Sequence, residues 1–204
     1  MKRENIYKRR LDKHMDELKW LYMELYNSQD MLDRLLKGME GFYRERAEPL
    51  RTLDAAREAD PCWYRKSSML GMMMYADHFA GSLKGVEGKL DYIAQCHVNY
   101  LHLMPLLDTP RGRSDGGYAV SDFRKVREDL GTMEDLEQLA HECHDRGISL
   151  CLDFVMNHTS VGSWVGEKGK GRGKGTIRTD IFSLTAGRFP LCLRRRCPRY
   201  FPPR

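Results

Sequence analysis

The first sixty residues repeat apolar side chains at helical spacing. Leu18, Leu21, Tyr22 and Leu25, then Met31, Leu32, Leu35 and Leu36, recur three and four apart, which is one face of an α-helix. Pro49 and the Asp60-Pro61 pair interrupt that rhythm. The pattern predicts an α-helical N-terminal domain over residues 1–61, made of two or three helices. It places Trp20, Tyr22, Met23 and Tyr26 in the core of that domain.

Residues 69–160 have a different pattern. Continuous apolar runs at 69–76, 98–107 and 148–156 suit strands buried on both faces, as in a parallel sheet. Between the first two, residues 84–96 carry Val86, Leu90 and Ile93 on one helical face. Between the second and third, residues 133–146 turn Leu136, Leu139, Ala140 and Cys143 inward. Thr132 with Asp135 three residues on fits a capping box, and Gly147 suits the left-handed residue that closes a helix. Strand–helix–strand–helix–strand is the unit of a parallel α/β sheet, whether barrel or doubly wound. The connection over residues 108–131 is long for a compact domain, and its Asp115-Gly116-Gly117-Tyr118 segment suggests function. Taken alone, Asp115-Gly116-Gly117 also reads as a tight turn, and His158 as a structural histidine.

Composition changes this picture at one place. The 204 residues are 41% hydrophobic and 31% charged with net charge +5, which fits an ordinary globular chain. Residues 1–160 hold 23 basic and 27 acidic side chains, whereas residues 161–204 hold 11 basic against Glu167 and Asp180 alone. The basic character therefore belongs to a tail over 161–204. Its Gly/Lys/Arg run at 168–175 resembles a nucleic-acid-binding segment, although no Gly-Lys pair is followed by Ser or Thr as a phosphate loop requires. No apolar run reaches the ~20 residues that span a bilayer. The charged N-terminus is unlike a signal peptide, so the expected location is cytoplasmic. Six irregularly spaced cysteines, two of them (Cys96, Cys151) within apolar runs, read as buried free thiols. His141 and His144 flank Cys143 on a predicted helix without a second ligand pair, so neither metal nor cofactor is expected.

Three segments in order carry a family resemblance. Tyr75-Ala76-Asp77-His78-Phe79-Ala80-Gly81 comes first. Tyr100-Leu101-His102-Leu103-Met104-Pro105-Leu106 with Ser114-Asp115-Gly116-Gly117-Tyr118 is second, and Asp153-Phe154-Val155-Met156-Asn157-His158 is third. Together they resemble the first three strands of an amylosucrase, a member of the α-amylase superfamily (glycoside hydrolase family 13). The resemblance implies an α/β fold over residues 62–160, comprising the first three strands of a (β/α)8 barrel with sites at the strands' C-terminal ends. It implies that Asp115, Tyr118 and His158 line a glucosyl subsite, and that Asp153 and Asn157 support it. His102, in mid-strand, reads as packed. His97 stands where the family has glycine at a helix end, a departure that costs stability. The implied substrates are sucrose and α-glucan, with no membrane partner and nucleic acid not expected. A sucrose hydrolase, sucrose isomerase or trehalose synthase-type relative is the alternative, and a non-catalytic binding protein using the basic tail is the alternative of another class.

The superfamily's nucleophile and acid/base carboxylates follow later strands, and the resemblance ends near Ser160. The chain as given is therefore expected to be a truncated barrel with no catalytic residue of its own, inactive and poorly folded in isolation. The tail also suggests a shifted reading frame. With permitted codons, a one-base shift through residues 176–182 gives Tyr-Gln-Asp-Arg-Tyr-Phe, and the same shift through 196–202 gives Val-Pro-Glu-Val-Phe-Pro. Both are amylosucrase-like.

Overall fold

In the computed structural model, the described residues are 2–112, 114, 116–155, 158 and 160. The tail, with its expected frameshift and disorder, lies outside them, as do the expected site residues Asp115 and Asn157 and the cysteines Cys192 and Cys197. The chain divides into two compact units, Met1–Tyr64 and Arg65–Arg204.

The first unit has four helices where the apolar spacing predicted two or three: α1 (Lys2–Asp12), α2 (Met15–Tyr26), α3 (Gln29–Glu45) and α4 (Glu48–Ala59). The break between α2 and α3 has a local cause. Asn27 adopts a left-handed φ of 46°, and the Ser28 side chain then accepts from the Met31 N–H as the N-cap of α3. Pro49 sits in the first turn of α4, where its missing N–H costs nothing. Leu32 is the fully buried large side chain among the described residues of this unit. Trp20 and Tyr26, expected in the core, are exposed, because they fall on the outer face of a short helix. Arg10 holds Glu58 at 2.8 Å, and Arg57 lies 3.9 Å over the Trp63 ring.

The second unit begins with β1 (Gly71–Met74), α5 (Ala76–Ala80), α6 (Leu83–Glu87), α7 (Leu90–Gln95) and β2 (Tyr100–Leu103). It continues with β3 (Leu107–Asp108), β4 (Asp122–Val126), α8 (Met133–Asp145) and β5 (Ser149–Leu152). Three strands form a parallel sheet in the order β1-β2-β5, with Met73 opposite His102 and His102 opposite Cys151. The predicted strands are present, each shorter than its apolar run.

Packing follows the pleat. Leu101 and Leu103 of β2 are fully buried against Leu90, Ile93 and Leu139 from the helices, while Tyr100 and His102 point to the other face. Each such leucine contributes roughly 1.5–3 kcal/mol by leaving water. The single helix expected over 84–96 is two, parted at Gly88-Lys89, yet Val86, Leu90 and Ile93 all remain fully buried. α8 carries its expected capping box, Thr132 accepting from the Asp135 N–H and Asp135 from the Thr132 N–H, and Gly147 closes it at φ 70°. Ala140 faces solvent rather than the core. The cysteine expectation fails in part: Cys143 is buried, Cys151 half-buried, and Cys62 and Cys96 are exposed.

The connection over 108–131 is not structureless. β3 and β4 form a small antiparallel pair with a register shift between Leu107 and Asp108. Asn99 fastens the entry to the sheet, accepting from the Leu70 N–H and donating to the Ser68 carbonyl.

Candidate functional site

The three parallel strands end on one side, and the chemistry-bearing residues follow those ends. After β1 comes Asp77 in α5, after β2 the segment reaching Tyr118, and after β5 Asp153 and His158. Gly116 and Gly117, at φ 58° and 88°, shape the middle segment. A Cβ on Gly116 would meet the Tyr75 hydroxyl at 2.7 Å, and one on Gly117 the Pro105 Cβ at 3.0 Å. The pair is thus more than a turn: it lets the segment lie against the end of β2.

Tyr118, Asp153 and His158 meet there. The Tyr118 hydroxyl donates to Asp153 Oδ2 at 2.8 Å, and His158 Nε2 lies 3.0 Å from the Tyr118 carbonyl oxygen. A carbonyl only accepts, so Nε2 of His158 carries the proton. His102 Nε2 lies 2.9 Å from the other Asp153 oxygen, Oδ1. Asp153 is therefore held at both oxygens, which suits a support rather than a nucleophile. Its hydrogen bond and its charge push the Tyr118 phenol up to about 12, so the ring is neutral at physiological pH. The Tyr118 ring is itself exposed. An exposed, anchored aromatic face can stack on the apolar side of a sugar ring.

A second cluster braces the rim. Arg127 grips Asp129 through Nε at 2.7 Å and Nη2 at 2.9 Å, and reaches Asp77 Oδ2 at 2.6 Å. Burial pushes the Asp77 carboxyl up, but Arg127 and the His78 N–H outweigh it and hold the group below its ordinary value. A cleft of about 460 Å³ opens beside Arg127, walled by Asp108, Ser114, Gly117 and Glu128. Among the described residues no group of three or more His, Cys, Asp or Glu is arranged to hold a metal ion. Among them, too, no helix is long and apolar enough to cross a membrane.

Sequence reasoning missed two members of this arrangement. His102 was read as packed, although its pleat phase, opposite to Leu101 and Leu103, already puts it on the face where Asp153 emerges. Arg127 carried no local signal, since its partners are made by folding.

Three parallel strands alternating with helices, with Tyr118, Asp153 and His158 gathered past their C-terminal ends, form an α/β arrangement of the kind that opens a (β/α)8 barrel. The chain belongs to the alpha-amylase catalytic domain family, whose match covers residues 27–193 and so runs past Ser160. It is 41% identical over 80 residues to the oligo-1,6-glucosidase of Bacillus cereus, covering 39% of this chain and 14% of that protein. To the alpha-glucosidase of Candida albicans it is 46% identical over 81 residues, covering 40% and 14%. The trehalose synthase/amylase TreS of Mycobacterium tuberculosis is 37% identical over 111 residues, covering 52% of this chain and 18% of that one. The trehalose-6-phosphate hydrolase of Bacillus licheniformis superposes with a TM-score of 0.50 at 28% identity, covering 57% of this chain and 21% of that structure. A mutant of trehalulose synthase MutB from Pseudomonas mesoacidophila MX-45, solved with the substrate sucrose, gives 0.50 at 29%, covering 58% and 22%. The chain thus spans about a seventh to a fifth of the length of these relatives.

Proposed function

We propose that this chain supplies the first three strands of an amylosucrase-like barrel and, with them, part of the subsite that holds the glucosyl group of sucrose for transfer to an α-glucan. The observation that carries the reading is the Tyr118 ring, exposed yet anchored by Asp153 at the C-terminal strand ends beside His158. In this reading the glucosyl ring rests on Tyr118, His158 hydrogen-bonds one of its hydroxyls, and Asp115 provides a fixed charge. Asp153 and Asn157 are supports. The two carboxylates that a retaining enzyme places roughly 5 Å apart come from later strands. The amylosucrase-like order of the Tyr100–Leu106 and Ser114–Tyr118 motifs supports sucrose as donor.

A second reading, a trehalose synthase or sucrose isomerase type of enzyme, is favoured by the 111-residue similarity to TreS and by the likeness to MutB. Saturation-transfer NMR of the chain with sucrose, trehalose and isomaltose separates the two. Sucrose glucosyl protons should saturate in the parent and not in Tyr118→Ala. Equal saturation in both proteins would overturn the subsite, and a preference for trehalose would favour the second reading. Sequencing the coding DNA tests the frameshift proposal for residues 161–204. The shifted frame should encode both missing carboxylate motifs, and an early stop codon would end that idea.

A further inference from the structure

His102 occupies a position that packing alone does not explain. Its neighbours across the sheet are Met73 and Cys151, so an apolar residue in that layer would meet partners of its own kind. Instead the strand places an imidazole there, half-buried, with Nε2 2.9 Å from Asp153 Oδ1. The same carboxylate accepts the Tyr118 hydroxyl on Oδ2 at 2.8 Å. A carboxylate that donates nothing fixes the proton on His102 Nε2. The result is a chain of two hydrogen bonds, from the middle strand through the end of β5 to the aromatic ring on the rim.

A lone Asp153–Tyr118 bond would leave the carboxylate free to turn about its own side-chain torsions, because Asp153 lies just beyond the end of β5. A second donor on the opposite oxygen removes that freedom. His102 is well suited to the task, since β2 is paired on both sides and its backbone is the most constrained in the sheet.

We propose that His102 is a positioning residue of the glucosyl subsite: by holding Asp153 Oδ1 it aims Oδ2 at the Tyr118 phenol and fixes the plane of the ring on which the sugar rests. The inference rests on the reading of Tyr118 as a sugar platform, but its central claim, that His102 controls the Asp153–Tyr118 bond, is measurable without any sugar.

The measurement is the ionisation of the Tyr118 phenol, followed by NMR of tyrosine labelled at Cζ and assigned by loss of one signal in Tyr118→Phe. With its phenol pushed up to about 12, Tyr118 is only about 3% ionised at pH 10.5. If Asp153 swings away, the phenol returns toward its ordinary value of about 10 and is about three-quarters ionised at that pH, a change of roughly 25-fold. His102→Ala should produce that change, and His102→Gln, whose amide N–H reaches the same place, should reverse it. Circular dichroism at pH 10.5 checks that each protein is folded. Should His102→Ala unfold, His102→Asn takes its place, its amide being too short to reach Oδ1.

A Tyr118 signal that stays un-ionised in the folded His102→Ala or His102→Asn protein overturns the proposal, and so does a folded His102→Gln that fails to restore it. A role in packing alone predicts no movement of this signal. The sugar arm is separate: in saturation transfer with sucrose, His102→Ala should lower the signal and His102→Gln restore it. If the parent shows no transfer from sucrose, the subsite reading fails, while the phenol measurement still decides the role of His102.

Discussion

Replacing Gly85 by alanine sets two effects of opposite sign against each other. Gly85 lies in α6, and alanine in a helix interior is favoured over glycine by roughly 1 kcal/mol. Yet the Cβ would overlap the Ala80 carbonyl oxygen and sit 2.9 Å from the carbonyl carbon and 3.1 Å from the Ala80 Cβ. Ordinary carbon contacts are about 3.5–4.0 Å, so the two segments must part by on the order of 1 Å. Neither can do so easily. The Gly85 N–H is held by the Ser82 hydroxyl at 3.1 Å, the Leu83 N–H donates to the Leu130 carbonyl at 2.8 Å, and the Gly81 N–H donates to the Asp77 carbonyl. Leu83 and Val86 on the same short helix are fully buried and would be dragged with it. Overpacking of this kind costs about 1–3 kcal/mol, and a backbone obstacle puts it at the upper end. The net expectation is a loss of about 2 kcal/mol, or roughly 1 M in urea midpoint at a slope of about 2 kcal/mol per M. Urea titration by far-ultraviolet circular dichroism measures it. Gly38→Ala in α3 is the control, because its Cβ would meet nothing within 4 Å and should gain up to about 1 kcal/mol. A Gly85→Ala protein with an unchanged or higher midpoint would refute the reasoning.

The other predictions concern single, local causes. His97 holds a φ of 59° without being glycine, so His97→Gly should stabilise the second unit by about 1 kcal/mol in the same titration. Thr132→Ala should cost about 1 kcal/mol, and adding Asp135→Ala should cost less than the two singles together, since the capping box is already broken. Asp77 and Asp129 are held below their ordinary values by contacts made in the folded state, so they stabilise it above the unfolded carboxylate range, and that stability is lost as pH falls through their depressed values. The loss on acidification should shrink in Arg127→Met, read as urea midpoints at pH 7 and about pH 2.5, below the depressed values. Iodoacetamide followed by peptide mapping should label Cys62 and Cys96 quickly and Cys143 slowly, because burial removes its access and pushes its thiol up to about 11.

What could be read from the sequence was what periodicity controls. Leu136, Leu139 and Cys143 face the core because their spacing keeps one face of α8 inward, and Thr132 and Gly147 bound that helix because capping is decided within four residues. Residues 84–96 show the limit of periodicity. Val86, Leu90 and Ile93 are buried as their spacing says, yet the helix is broken between them, because a 3.6-residue rhythm tolerates a kink that keeps its phase. The β3–β4 pair was missed for a different reason. Asp122–Val126 is mostly polar and half-exposed, so its strand character comes from pairing with Leu107 and Asp108, not from its own pattern. The exposure of Trp20 belongs with it, since four short helices leave more outer face than two or three long ones.

The candidate site follows the same division, and β2 shows how. One strand of four residues serves both the core and the rim because its side chains alternate. Leu101 and Leu103 go to the helices, and their burial fixes the height and twist of the strand. That leaves His102 on the opposite face by necessity, and the parallel pairing of Leu103 with Leu152 brings Asp153 to it one residue later. The motif residues Tyr118 and His158 could be picked out as a resemblance because each lies in a short contiguous phrase, Ser-Asp-Gly-Gly-Tyr and Asn-His. The hydrogen bonds that orient them could not, because His102 and Asp153 are 51 residues apart and meet only through strand register. A shift of β5 by one residue would leave every motif intact and turn Asp153 to the other face. The register of the sheet, set by buried leucines that touch no substrate, is therefore as much a part of this site as the residues that would touch the sugar.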